Sequence, residues 1–170
     1  MRSVAKFEKI SFDQFLRDYQ ENFPNLDTNT ITGYYNNLKL PKRATMGSAG
    51  YDFFIPFDLT LIPGETIKIP TGIRVQIDEG YFLQITPRSG LGFKFRLQLD
   101  NTLGIIDSDY YNSSNEGHIF IKMTNLNSEN KVLNVLQGQA VAQGIFLEFG
   151  ITYDDDCEEI RDGGFGSTTK

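Results

Sequence analysis

From Pro41 to Phe149 the chain is a series of short runs rich in Ile, Val, Leu, Thr, Tyr and Phe, cut at close intervals by Gly, Pro and Asn. The runs that read as strands are Asp52 to Phe54, Thr60 to Ile62, Glu65 to Lys68, Ile73 to Ile77, Tyr81 to Thr86, Leu97 to Leu99, Gly104 to Ile106, His118 to Asn125, Lys131 to Val135 and Ala140 to Phe149. Breaks fall at Pro63-Gly64, Pro70-Thr71-Gly72, Glu79-Gly80, Asn127-Ser128 and Gln137-Gly138. Spacing of this kind is that of an all-β sandwich or barrel rather than of βαβ units. No repeat or low-complexity linker interrupts it, and 170 residues suit one compact domain.

Ahead of this region, Val4 to Ile10 alternates as an edge strand would. Ser11 then opens a helical pattern running to Asn22, with Phe12, Phe15, Leu16, Tyr19 and Phe23 on one face. Gln14 completes an S-x-x-Q capping box, Ile10 is placed to staple onto Phe15, and Pro24 closes the helix. Such a helix covers core or meets a neighbouring subunit. After Ile151 the run DDDCEEIRDGG is polar and acidic and leads into GFGSTTK, with too little apolar surface to fold unless something holds it.

A net charge of -6 argues against a general nucleic-acid binder. Cys157 is the only cysteine and His118 the only histidine, so neither a disulfide nor a Cys/His zinc site can form within one chain. No apolar run approaches the ~20 residues of a membrane span, and the N-terminus lacks a secretory layout. The expectation is a cytoplasmic protein.

Five stretches are odd for purely structural segments. In Gly47 to Asp52 (GSAGYD), small residues allow a close backbone approach and a carboxylate follows; alone it is a turn. Pro87 to Gly90 (PRSG) is a Pro-fixed turn whose guanidinium, hydroxyl and backbone N–H groups suit phosphate oxygens. Leu99 to Tyr111 (LDNTLGIIDSDYY) puts a carboxylate, Asp107, directly after two isoleucines, where a core and water compete for it. In Gly138 to Phe146 (GQAVAQGIF), Gln143 interrupts apolar neighbours and needs hydrogen-bond partners. Arg161 to Thr168 (RDGGFGST) combines a mobile Gly-rich backbone, phosphate donors and the flat face of Phe165. The P-loop spacing is absent.

In this order, AGYD, PRSG, N-x-x-G-I-I-D-S-D-Y, A-Q-G-I-F and R-D-G-G-F-G-S-T resemble the five ordered motifs of the homotrimeric dUTPases, over about Pro41 to Thr168. The resemblance implies a jelly-roll-like β subunit spanning residues 1–150, with an insertion at 11–38, and a flexible arm, 151–170, that closes over the site. It also implies a homotrimer whose sites draw on more than one chain. Carried over by motif, Asp107 activates the water that attacks the α-phosphorus of dUTP. Tyr110 lies under the deoxyribose, and Asn101 with the backbone of Gly104, Ile105 and Ile106 reads the uracil edge. Arg88, Ser89 and Gly90 hold phosphate, and Gln143 positions phosphate or water. Arg161, Gly166, Ser167 and Thr168 hold the β and γ phosphates while Phe165 stacks on the base. Mg²⁺ is held by phosphate oxygens and water, with Asp52 acting through water. Asp109 is expected to brace the turn. The implied reaction, dUTP to dUMP and pyrophosphate, keeps uracil out of DNA and supplies dUMP for thymidylate synthesis.

The chain also departs from that pattern. Ala140 stands where the fourth motif usually carries an Arg. Arg161 sits one residue nearer Phe165 than in many members, and Thr169 replaces a final Gly. The turn YNSSNE after Tyr110 is long, and Ser11 to Leu38 reads as an insertion that could hold a protein partner. His118, beside that turn, is expected to satisfy local hydrogen bonds. Two other readings stand: a nucleotide-gated protein-binding module on the same fold, and a dCTP deaminase-like enzyme, which the Asp107–Tyr110 pattern and the terminal motif disfavour.

Overall fold

The computed structural model describes residues 2–159 and Arg161. The chain begins with β1 (Ala5–Lys9), α1 (Phe12–Asn22), α2 (Thr28–Asn36), β2 (Lys42–Arg43), β3 (Tyr51–Phe54), β4 (Leu59–Leu61), β5 (Thr66–Pro70), β6 (Ile73–Ile77) and β7 (Tyr81–Pro87). It continues through α3 (Ser89–Phe95), β8 (Leu97–Leu99), β9 (Gly104–Ile106), a 3₁₀ turn (Ser108–Asn112), β10 (Phe120–Asn125), β11 (Leu133–Val135) and β12 (Ala140–Glu148). The fold is all-β and jelly-roll-like, as the punctuated runs predict. Strand boundaries move by one or two residues from the sequence reading, which is normal where ladder ends fray.

The largest sheet runs β2-β3-β12-β7-β9, with every pairing antiparallel. A second sheet is β5-β10-β8, and β1-β6 and β11-β4 form pairs. Alternation sends Leu83 and Ile85 of β7, Ile121 and Met123 of β10 and Leu133 and Val135 of β11 inward, into one apolar core. Past Glu148 the described residues form no further helix or strand, and 151–159 are exposed.

Ser11 to Leu38 carries a second helix, α2, which Thr, Asn and Gly in its interior disguise as loop. Asp27 holds it by capping Thr30, and Ile31 anchors it in a separate apolar cluster with Ile10, Phe15, Tyr19 and Leu38. Tertiary burial overrides the weak local propensity. α3 also goes beyond the sequence reading, which has a turn at PRSG. Leu91 and Phe95 pack on the main core, and that packing carries a helix through two glycines.

At α1 the capping box forms only half as expected. Ser11 Oγ accepts from the Gln14 N–H (3.2 Å), but the reciprocal bond to the Ser11 N–H comes from Glu116 at 2.8 Å. Glu116 also accepts from Ser11 Oγ at 2.6 Å. A carboxylate delivered by a distant turn outbids the neutral Gln amide because the bond is charge-assisted and lies at a helix N-terminus. Gln14 instead donates to Asp18 Oδ2 at 2.9 Å.

His118 is fully buried; its backbone bonds are local, to Asn115 and Tyr110, but its ring bonds are not. Nε2 accepts from the Gly72 N–H (2.8 Å), so Nδ1 carries the proton and meets Asp18 Oδ2 of α1 at 2.5 Å. The imidazole is neutral: burial pushes its pKa below the ordinary value of 6.5, against the pull of Asp18 and Glu116 and with the help of Lys68. An unfolded chain takes up this proton near pH 6.5 and the folded chain does not. Stability is therefore full above about pH 6.5 and falls below it, by up to about 1.4 kcal/mol per pH unit. Urea unfolding at about pH 7.5 and about pH 5.5 should show this loss in the wild type and a smaller one in His118→Gln. Equal losses in both proteins rule His118 out as the source.

Candidate active site

Four of the five candidate motifs lie on the largest sheet, on adjacent strands. Asp52 is on β3, Gln143 on β12, Arg88 follows β7, and Gly104 to Ile106 is β9. The register sets Asp52, Gln143 and Thr86 side by side, and Tyr51, Gly144, Ile85 and Gly104 in the next row. Two motif glycines serve this close packing. A Cβ on Gly144 would stand 2.7 Å from Leu83 Cδ1, and one on Gly50 would stand 2.7 Å from Gln143 Oε1. The half-buried Gln143 amide thus lies over the first motif.

At one side of the sheet is a cavity of about 620 Å³ lined by Asp52, Phe54, Arg88, Ser89, Gly90 and Ala140, among others. Arg88 Nε lies 3.2 Å from Asp52 Oδ1, with the carboxylate largely covered and the guanidinium half exposed. The Lys39 and Lys42 ammonium groups stand 5.8 and 5.9 Å from the centroid of Phe54, a wall of this cavity. They bring cationic charge to the side where Ala140 offers none. Sequence reasoning missed both, because they precede the first motif and only the fold brings them near the fourth.

A smaller cavity of about 320 Å³ is lined by Asn101, Gly104, Ile106, Asn115, Phe120 and Lys122, with others. Ile105 is not among them. It alternates to the opposite face and is 46% exposed, so only one of the two isoleucines before Asp107 is core. Asn115 comes from the long turn and went unrecognised in the sequence. It lines the cavity and donates to Tyr110 Oη at 2.8 Å.

Asp107 directly follows β9, its side chain half exposed. Arg161 reaches it: one guanidinium nitrogen is 2.5 Å from Asp107 Oδ2 and Nε is 2.9 Å from Asp109 Oδ1. Asp109 therefore holds Arg161 rather than bracing its own turn, because a fork of donors can satisfy two carboxylates at once. The same guanidinium lies 5.7 Å from the centroid of Tyr110, which is 3% exposed. Phe165, Gly166, Ser167 and Thr168 lie outside the described residues.

Neither cavity contains residues of both sets. Thr86 pairs in the row of Asp52, whereas Ile106, just before Asp107, pairs with Leu83. Counting strand rise and spacing puts Asp52 and Asp107 roughly 20 Å apart across the sheet. Among the described residues no cluster of three or more His, Cys, Asp or Glu could hold a metal, and no helix is long and apolar enough to cross a membrane.

A jelly-roll-like sheet with one cavity lined by Arg88, Ser89 and Gly90 and a smaller one lined by Asn101 and Gly104 has the makings of a nucleotide-processing enzyme. The chain belongs to the dUTPase family, whose model matches residues 36–169. It is 41% identical over 142 residues to the deoxyuridine 5'-triphosphate nucleotidohydrolase of Lactococcus lactis, covering 81% of this chain and 93% of that one. Its identity to the enzyme of the same name from Paraburkholderia xenovorans is 42% over 138 residues, 78% of this chain and 90% of that one. The crystal structure of dUTPase from Streptococcus mutans superposes with a TM-score of 0.61 at 32% identity, over 86% of this chain and 97% of that one. At 20% identity, a Staphylococcus bacteriophage 80alpha dUTPase structure with dUpNHpp shares the fold, with a TM-score of 0.63 over 93% and 98% of the chains. The family is characteristically homotrimeric. Its match begins at the last residue of α2, so β1 and nearly all of the helical pair precede it.

Proposed function

We propose that the protein hydrolyses dUTP to dUMP and pyrophosphate with Mg²⁺, at a site completed by neighbouring chains of a homotrimer. One observation carries the composite site: the strand register puts Asp52 and Asp107 three strands and four rows apart on the sheet, roughly 20 Å by strand rise and spacing. A water activated by Asp107 must reach the α-phosphorus to about 3 Å, which one chain cannot arrange while its own Asp52–Arg88 side holds the same triphosphate. A rotationally symmetric assembly brings the β9 side of one chain to the Arg88 side of the next.

In this reading Asn101 and the β9 backbone of Gly104 to Ile106 recognise uracil through buried polar groups that cytosine leaves mispaired. Tyr110 packs against the sugar face. Arg88, Ser89, Gly90 and Gln143 hold the phosphates, and Lys39 and Lys42 add charge. Asp107 accepts the proton of the attacking water as pyrophosphate leaves. Residues 151–170 act as the closing arm on the 1–150 body, with Phe165 on the base and Gly166, Ser167 and Thr168 on the terminal phosphates. Arg161 must first give up Asp107 and Asp109 for phosphate oxygens, so substrate binding uncovers the base.

Asp52 fits a magnesium ion held through water: its carboxylate borders the larger cavity and is shared with Arg88, with no carboxylate cage among the described residues. The ion, when bound, spreads the charge of the triphosphate. The product dUMP would feed thymidylate synthesis, and removal of dUTP would keep uracil out of DNA; a cytoplasmic location belongs to the same reading.

The test is pyrophosphate release from dUTP with Mg²⁺, with UTP, dTTP and dCTP as competitors and the solution mass measured alongside. Activity confined to dUTP in a particle of three chains is expected. Ammonia from dCTP would replace this reading with a deaminase. No observation favours Ser11 to Leu38 as a docking surface: among the described residues its large apolar side chains are packed, and none is among the exposed ones.

A further inference from the structure

The helical insertion and the long turn after Tyr110, two separate departures in sequence, are clamped to each other in space. Glu116 of the turn caps α1 through the Ser11 N–H and hydroxyl. Tyr111 donates to Glu8 Oε2 of β1 at 2.6 Å, and Arg74 lies over the Tyr111 ring at 4.4 Å. Just past the turn, His118 is held between Asp18 of α1 and the Gly72 N–H. Asp18 in turn accepts from Gln14 within α1.

The His118 end of this clamp, together with Asn115 of the turn, meets one phenol. Tyr110 Oη donates to the His118 carbonyl at 2.7 Å and accepts from Asn115 Nδ2 at 2.8 Å. The carbonyl that fixes the far end of the Tyr110 ring therefore belongs to a residue whose own side chain is fixed by the insertion. Asn115, the other anchor, also lines the cavity of Asn101 and Gly104. Loss of the Asp18 carboxylate leaves the buried Nδ1–H of His118 without its acceptor, which frees the imidazole to move and removes one restraint on the residue whose carbonyl Tyr110 binds.

We infer that the insertion acts in cis, as a brace: Asp18, through His118 and with Glu116, is a positioning residue that sets the Tyr110 ring and so the enzyme's discrimination between deoxyribose and ribose. This rests on the reading of Tyr110 as the sugar-facing residue of a dUTPase. Rejecting an added hydroxyl by shape alone is worth only ~10²-fold, and it depends on a surface that does not yield. A tilted Tyr110 yields.

The experiment compares kcat and KM for dUTP and UTP in wild type, Asp18→Ala, Asp18→Asn and Glu116→Gln, each with its thermal midpoint. Asp18→Ala should lower the dUTP-over-UTP ratio of kcat/KM about tenfold, through a higher KM for dUTP and a lower KM for UTP, with kcat for dUTP changed less than about twofold. Asp18→Asn keeps an oxygen acceptor for Nδ1–H and should restore most of the ratio. Glu116→Gln loosens the exposed end of the clamp and should shift the ratio the same way by a smaller factor. Should Asp18→Ala not fold, Glu116→Gln decides the matter alone. A midpoint that drops while the ratio stays at the wild-type value, in every variant that folds, overturns the brace and leaves a purely structural latch. Wild type that cleaves neither nucleotide overturns the proposed function instead.

Discussion

Asp107→Asn should lower dUTP turnover by about 10²- to 10⁴-fold while leaving nucleotide binding at or above the wild-type level. Asparagine keeps the shape of the side chain and an acceptor oxygen but cannot take a proton from water. Binding should hold because the substitution also weakens a competitor: in the free chain Arg161 is engaged by Asp107 and Asp109, and releasing one partner frees the guanidinium for phosphate. The measurements are kcat by pyrophosphate release and Kd for a non-hydrolysable dUTP analogue. A variant with kcat within tenfold of wild type would move the general base to another residue. A loss of binding as large as the loss of kcat would make Asp107 a ligand for the nucleotide rather than the base.

The proposed composite site makes a second large effect testable without any structure of the assembly. Arg88→Ala alone and Asp107→Asn alone should each be nearly inactive, yet the two chains co-refolded in equal amounts should recover about a quarter of the wild-type sites. In the mixed trimers an intact Arg88 from one chain meets an intact Asp107 from its neighbour. Mass spectrometry of the mixed particle checks that chains have exchanged. Activity that stays at the level of the separate variants, in particles shown to be mixed, would mean that each chain works alone.

Much of this protein is legible from its residues, because short-range chemistry decides it. Alternating apolar residues between Gly and Pro breaks yield the strands, since a period of two leaves one face to bury. The Ser11 cap and the aromatic stripe yield α1. The ordered motifs single out Asp52, Arg88, Gln143 and Asp107, and the fold then lines up their strands. What could not be read is α2 and α3, both poor in propensity and both held by packing that no local window contains.

The acids and the lone histidine show the same division at the site. Asp109 looks like a turn brace from its neighbours in sequence, and only the return of Arg161 makes it an ion-pair partner. His118 looks local, and only the fold puts Asp18, a hundred positions earlier, against its ring. Lys39 and Lys42 carry no signal in sequence because Phe54, the ring they stand over, is brought to them only by the fold, and Asn115 carries none because only the folded turn aims it at Tyr110 and the smaller cavity.

The sequence by itself therefore determined the architecture and the ordered motifs, because strand pattern, turn residues and motif order are written in residue type and spacing along the chain. Tertiary structure alone decided which of those groups meet. It set Asp52 and Asp107 on different strands and rows of one sheet, roughly 20 Å apart, which is the basis of the proposed shared site. It also joined the insertion to Tyr110 through bonds between residues remote in sequence, where hydrogen-bond geometry and burial choose the partners.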